Sequence, residues 1–173
     1  MRKTVFLLAS LFVMACGIQS VKAQIGIASA SASANANATI ITPIAIAHVA
    51  DLNFGNIVAG TGIGTVIVDT EGDRTKTGDV ILPSATLGTV NAAEFTVTGL
   101  ADATYAITLP TSIDISETGG TTMTVDNFTS NPSGTGTLAG GTQTLSVGAR
   151  LNVGAGQVAG DYTGEFSVTV AYN

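Results

Sequence analysis

From Thr39 onward, short runs of alternating apolar and polar positions are separated by turns rich in Gly, Asn and Asp, and none carries the ~3.6-residue period of a helix. Thr39 to Ala47 is apolar but contains Pro43, which places it at a sheet edge or a strand switch. Leu52 to Ile57, Gly64 to Val68 and Val80 to Leu82 follow as strands, with a polar loop from Asp69 to Asp79 between the last two. Ala93 to Gly99 and Ala103 to Leu109 alternate on either side of a Leu100-Ala101-Asp102 turn and predict a hairpin. Ser112 to Ser116 and Met123 to Phe128 flank Gly119-Gly120. Gln143 to Val153 is long, with Leu145, Val147, Ala149, Leu151 and Val153 on one face. Strands of this number and length, joined by Gly-rich turns, predict an all-β, immunoglobulin-like sandwich over residues 39–173.

The last strand has the strongest pattern. Gly160 starts it, Tyr162, Gly164, Phe166, Val168, Val170 and Tyr172 share one face, and Thr163, Glu165, Ser167 and Thr169 share the other, up to Asn173. At the opposite end, residues 24–38 form an arm. Ile25 and Ile27 lead into strict alternation, with Ala28, Ala30, Ala32, Ala34, Ala36 and Ala38 on one side and Ser or Asn on the other. Side chains this short contribute little burial, so a flexible linker is one reading. Strict alternation favours the other, an extended strand narrow enough to enter a groove between two sheets.

Residues 1–23 have the layout of an export signal: Arg2 and Lys3, an apolar run from Val5 to Ala15, and Val21-Lys22-Ala23 before a cleavage point between Ala23 and Gln24. That run is too short to span a bilayer, and no later stretch is long and apolar enough, so no transmembrane segment is expected in the mature chain. Cys16, in Val13-Met14-Ala15-Cys16, loosely matches a lipoprotein box; the plainer reading discards it with the signal and leaves the exported chain without cysteine or disulfide. The mature chain then keeps Arg74, Lys76 and Arg150 against twelve acidic residues, 3 − 12 = −9, which argues against nucleic-acid binding. About 150 mature residues suffice for one domain.

Candidate chemistry is sparse. His48 has no recognisable partner for a nucleophile or a base, and it reads as a structural or solvent-facing residue. Asp69-Thr70-Glu71-Gly72-Asp73 spaces oxygen ligands, but an EF-hand loop needs Gly and Glu where Arg74 and Val80 stand; a solvated turn, with Arg74 and Lys76 balancing local carboxylates, is the better reading. Gly55, Gly60, Gly62 and Gly64 precede no helix that could cradle phosphate and read as turn glycines. Asn127-Phe128-Thr129 matches a glycosylation acceptor by letter alone. The expectation is therefore a protein with no catalytic residues, no metal site and no cofactor.

Gly160, fourteenth from the end, and the penultimate Tyr172, flanking Phe166, Val168 and Val170, resemble the C-terminal pattern of chaperone-usher pilus subunits. Leu52-Asn53-Phe54-Gly55-Asn56-Ile57 is similar to the early strand of archaic and spore-coat-U-type subunits, and the mature chain looks like an uncharacterised family of exported bacterial β-domains. The resemblance implies a pilin-like sandwich lacking a strand. Its groove would be filled first by a periplasmic chaperone and then, at an outer-membrane usher, by the arm of another copy, building a head-to-tail homopolymer at the cell surface. Two departures stand out: many such subunits carry a disulfide, and donor arms usually present larger apolar residues than Ala. Thr39 to Ala47 is a second candidate donor, and the arm could instead complete its own domain. A self-complete, secreted or surface-attached adhesin that binds glycan is the rival reading.

Overall fold

The computed structural model describes residues 29–83 and 88–173. The folded unit is Thr39–Asn173. The export signal, the cleavage point and Ile25, Ile27 and Ala28 of the arm lie outside the described residues. Residues 29–38 are exposed throughout and form no strand in this chain.

The strands are β1 (Ala45–Ala50), β2 (Asn53–Phe54), β3 (Val58–Val68), β4 (Arg74–Ile81), β5 (Val90–Asn91), β6 (Ala93–Thr98), β7 (Thr104–Thr108), β8 (Ser112–Ser116), β9 (Thr122–Asn131), β10 (Thr135–Thr137), β11 (Thr142–Val153) and β12 (Thr169–Tyr172). The described residues contain no α-helix. The expected all-β sandwich is what forms. Its main sheet is organised by β11, whose first half pairs with β6 and second half with β3, while β9 runs along its other edge. β1 and β4 are the outer neighbours of β6 and β3, and β8 is the outer neighbour of β9. The opposing layer is the sheet β10-β7-β12, together with the small β2-β5 ribbon.

The β11 alternation carries the core. Leu145, Val147, Ala149, Leu151 and Val153 are all buried. Ala93, Val97, Leu145 and Val147 meet Tyr105 and Leu138 in one cluster; Val66, Val80, Val125, Leu151 and Val153 form a second, packed by Leu52, Phe54 and Ile57. Leu52 and Phe128 contact both clusters. Tyr105, with no exposed surface, donates its hydroxyl to Gln143 Oε1 at 2.9 Å, so the one large polar tip in this core is satisfied.

Several boundaries differ from the sequence pattern. The strand around Pro43 begins only at Ala45, which leaves Ile40 98% exposed. The loop expected over Asp69 to Asp79 is a tight turn up to Asp73, and Arg74 already opens β4. β4 lies at a sheet edge and is polar on both faces until Val80, so it has no alternation to detect. Arg74 does not serve local carboxylates: its Nη1 donates to the carbonyls of Phe54 at 2.8 Å and Asn56 at 3.0 Å. Gly60, Gly62 and Gly64 are not turn residues but lie inside β3. There a Cβ at Gly60 would overlap Asp79, and one at Gly64 would meet Val80 and the Thr77 carbonyl.

Candidate strand-pairing site

The last strand keeps its alternation and only part of its pairing. Tyr162, Phe166, Val168, Val170 and Tyr172 are half-buried, whereas Thr163, Glu165, Ser167 and Thr169 are exposed. Thr169–Tyr172 pair antiparallel with β7, and Thr163 forms a single bridge to Ser116 with two backbone bonds of 2.9 and 3.0 Å. Between those points the segment 164–168 carries no ladder, so the continuous strand expected from Gly160 to Asn173 is interrupted. Continuing the β7–β12 register beyond the Thr108–Thr169 pair brings the interruption to Leu109 and Pro110, and Pro110 has no N–H to offer a ladder. Gly164 is exposed rather than part of the apolar row, and its role is close approach: a Cβ there would meet the Asp114 carbonyl and Ile115 at 2.9 Å. Gly160 lies beside Glu117, where a Cβ would come within 3.2 Å of the Glu117 Cβ.

β12 is paired on one side only, with β7, and β1 on one side only, with β6. The two edges border the same seam. Ile44 and Ile46 from the β1 side and Phe166, Val168, Val170 and Tyr172 from the last strand pack on one buried cluster, and all six remain half-buried. An aromatic chain crosses the seam: His48 meets Phe95 edge-on at 5.9 Å, Phe95 meets Phe166 at 6.3 Å, and Phe128 tilts against Phe166 at 5.1 Å. Among the described residues, no Phe belongs to the fully buried core. Phe95, Phe128 and Phe166 are thus half-buried along the seam, while Phe54, also half-buried, packs on the second cluster.

Two bulges aim those side chains. In β9 the register against β11 slips between the Thr129–Gly148 and Asp126–Arg150 pairs, and Asn127 takes φ 48°. Asn tolerates the left-handed region through its short polar side chain. The extra residue switches the inward face from Val125 to Phe128, which then reaches Phe166. In β1 the register slips between His48 and Ala50, leaving Val49 54% exposed at the seam edge.

Tyr172 closes one end. Its hydroxyl accepts from the Leu100 N–H at 2.6 Å and donates to the Thr42 carbonyl at 2.8 Å. Gly99 makes room for it, since a Cβ there would overlap the Tyr172 hydroxyl and approach Leu138 at 2.9 Å. Asn173 donates its side-chain amide to Thr104 Oγ1 at 3.1 Å. Of the arm, Ala30, Ala32, Ala34, Ala36 and Ala38 are described and exposed.

The other candidate chemistry resolves into local structure. His48 Nε2 lies 2.9 Å from Asp51 Oδ1 on the surface. The Asp69 carboxylate accepts from the Glu71 N–H at 3.0 Å and the Asp73 N–H at 2.8 Å, which uses it as a turn cap. Among the described residues no group of His, Cys, Asp or Glu is placed to hold a metal ion. No helix among them is long and apolar enough to cross a membrane. Gly99, Asn127, Phe95 and Phe128 belong to the seam and were not singled out by sequence; the only local sign was an Asn and a Phe at the end of an otherwise alternating strand.

Fold and seam together define an all-β sandwich domain with a half-covered seam between two singly paired strands, β1 and β12. The chain belongs to the family described as a domain of unknown function, DUF4402, whose model matches residues 44–172, from the first seam isoleucine to the penultimate tyrosine. Neither the curated proteins nor the solved structures provide a significant match.

Proposed function

We propose that this chain is a non-catalytic structural subunit of a bacterial surface filament, exported and joined head to tail by strand addition. The arm of one copy enters the seam of the next, alongside the last strand. The observation that carries this reading is the seam itself: large apolar side chains left half-buried between two singly paired edges, in a chain that also bears an exposed alternating arm. Strand addition supplies main-chain hydrogen bonds along the open edge and covers alternate side chains from water. Phe95, Phe128 and Phe166 already fill much of the seam, and small Ala side chains suit the space left beside them. Such contacts are heterologous, so they propagate instead of closing. The likeness of the last strand to chaperone-usher subunits supports a periplasmic chaperone that shields the seam in transit and an outer-membrane usher that orders the exchange.

The test compares the exported chain with a variant lacking residues 24–38. The intact chain should give ladders on a denaturing gel that resist moderate heat, the deletion variant should run as a single unit of lower urea stability, and a peptide of residues 24–38 should restore that stability. Equal stability of both forms, with no effect of the peptide, overturns the reading and leaves a self-complete surface domain.

A further inference from the structure

The outer face of the main sheet carries a second feature, away from the seam. Thr77 stands opposite Thr65, Thr65 opposite Asn152, and Asn152 opposite Thr124, so four uncharged polar residues from four adjacent strands form one row. Over this row lies an open cleft of about 550 Å³, within the ~300–1,000 Å³ range of small-molecule sites.

Its walls are braced. On one side the β3–β4 hairpin is drawn tight, with the Asp79 carboxylate accepting from the Gly62 N–H at 2.8 Å and the Thr61 hydroxyl at 3.3 Å, and with Gly78 at φ 70° against the Ile63 carbonyl. This geometry leaves Ile63 78% exposed at the rim. The facing wall, Gly154 to Gln157, is tied to that hairpin by the Gly156 N–H, which donates to the Gly60 carbonyl at 2.9 Å. The Gln157 amide donates to the Thr122 carbonyl at 3.2 Å and to Tyr162 Oη at 3.0 Å. Both walls are thus fixed before anything binds, which lowers the ordering cost of binding.

The lining selects by chemistry. No charged side chain lines the cleft; the row continues past Thr124 to Asp114 on β8, whose carboxylate is engaged by the Thr124 hydroxyl at 2.7 Å. Arg150, in the next row, is already engaged by Asp126 at 2.8 Å. A peptide strand adds to an open sheet edge; the cleft's floor is the face of β3, β11 and β9, whose central strand β11 is paired on both sides, and only its β4 border, at Thr77 and Gly78, adjoins such an edge. Thr65 and Thr77 share one hydrogen bond of 2.7 Å, which leaves the pair one free O–H and several lone pairs; Ile63 adds an apolar flank. A ligand rich in hydroxyls, uncharged, and with an apolar C–H face satisfies this set.

We propose that this cleft is a binding site for a neutral saccharide. The inference does not rest on strand addition; in a filament, the same face would recur along the fibre and multiply weak individual contacts.

The test takes the purified full chain to an array of neutral, sialylated and sulfated glycans, followed by amide-shift titration with maltohexaose, cellohexaose, mannohexaose and chitohexaose. Retention of a neutral glycan is expected, with shifts centred on Ile63, Thr65, Thr124 and Asn152. Thr65→Val keeps a β-former of nearly the same shape, and Asn152→Ala shortens the floor; each should weaken binding ~10-fold, the equivalent of ~1.4 kcal/mol, with the fold checked by urea titration. No neutral glycan retained on the array or shifting the spectrum at millimolar concentration, retention of charged glycans only, or binding unchanged in both variants overturns the proposal.

Discussion

The Tyr172 hydroxyl donates to the Thr42 carbonyl across 130 positions of chain, and at the same oxygen it accepts the Leu100 N–H. One side chain thereby fixes the last strand, the β6–β7 turn and the stretch leading into β1. Tyr172→Phe removes both bonds at an exposed place where water can substitute, so a loss of about 1 kcal/mol is expected. Gly99→Ala should cost more, ~1–3 kcal/mol, because the new methyl occupies the position of the hydroxyl and presses on Leu138. Urea titration of both variants checks the order; a Gly99→Ala protein as stable as the parent would show that Tyr172 can leave its place at no cost.

The β9 bulge gives a second prediction. Asn127→Gly should be tolerated within a few tenths of a kcal/mol, since φ 48° suits glycine, whereas Asn127→Val should cost ~1–3 kcal/mol at an exposed position with no packing to lose. The loss should come with a changed Phe128 environment, read from aromatic side-chain shifts, because Phe128 reaches Phe166 only while the bulge holds. A Val variant of parental stability would mean that β9 pairs equally well in the unbulged register.

These two sites also mark the limit of what the sequence showed. Strands β6 and β7, the turn between them and the buried face of β11 were legible because alternation and turn chemistry are local. The hairpin expected of β6 and β7 does not form, since the turn carries the chain from one sheet to the other, where β6 pairs with β1 and β11 and β7 with β10 and β12. The polar first half of β4 was not legible, since an edge strand that buries nothing has no period. Phe128 was visible as a strand residue, but its inward direction depends on the parity switch at Asn127. The seam was half legible: the alternating apolar row of the last strand stood out in sequence, while its interruption across from Pro110 and its tie to Thr42 depend on which distant strands lie alongside it.

Acid should destabilise the domain. Arg150 beside Asp126 holds that carboxyl below the usual range; the Gly62 N–H does the same for Asp79, and the Gly119 and Thr121 N–H groups for Glu117. Each folded pKa lies below its unfolded value of about 4. Their contribution is therefore complete above that value and is lost as pH falls through the folded pKa. Asp79 is exposed and Glu117 and Asp126 are only half-buried, so the effect is modest and screened by salt. Thermal melts should fall from pH 6 to pH 2.5, and Asp126→Asn should start lower and fall less. An unchanged melting temperature across that range would show that these carboxylates hold no stabilising partners in solution.

Arg74 supplies the last prediction. Its guanidinium reaches back from β4 to the Phe54 and Asn56 carbonyls and holds the segment whose Leu52, Phe54 and Ile57 side chains cover the second core cluster. Hydrogen bonds from a charged donor are worth ~1.5–3 kcal/mol when partly buried, and one of these two is exposed, so Arg74→Ala should cost about 2 kcal/mol. Arg74→Lys should recover part of this, because one ammonium can donate to two carbonyls as Nη1 does, while the second contact, from Nη2 to the Pro83 carbonyl at 3.4 Å, is lost. Hydrogen exchange should localise the damage, accelerating residues 52–57 and the facing Val66 and Val80 region well before β6, β7 and β11. Uniform acceleration across the domain would mean that Arg74 supports the whole sandwich rather than this one cover.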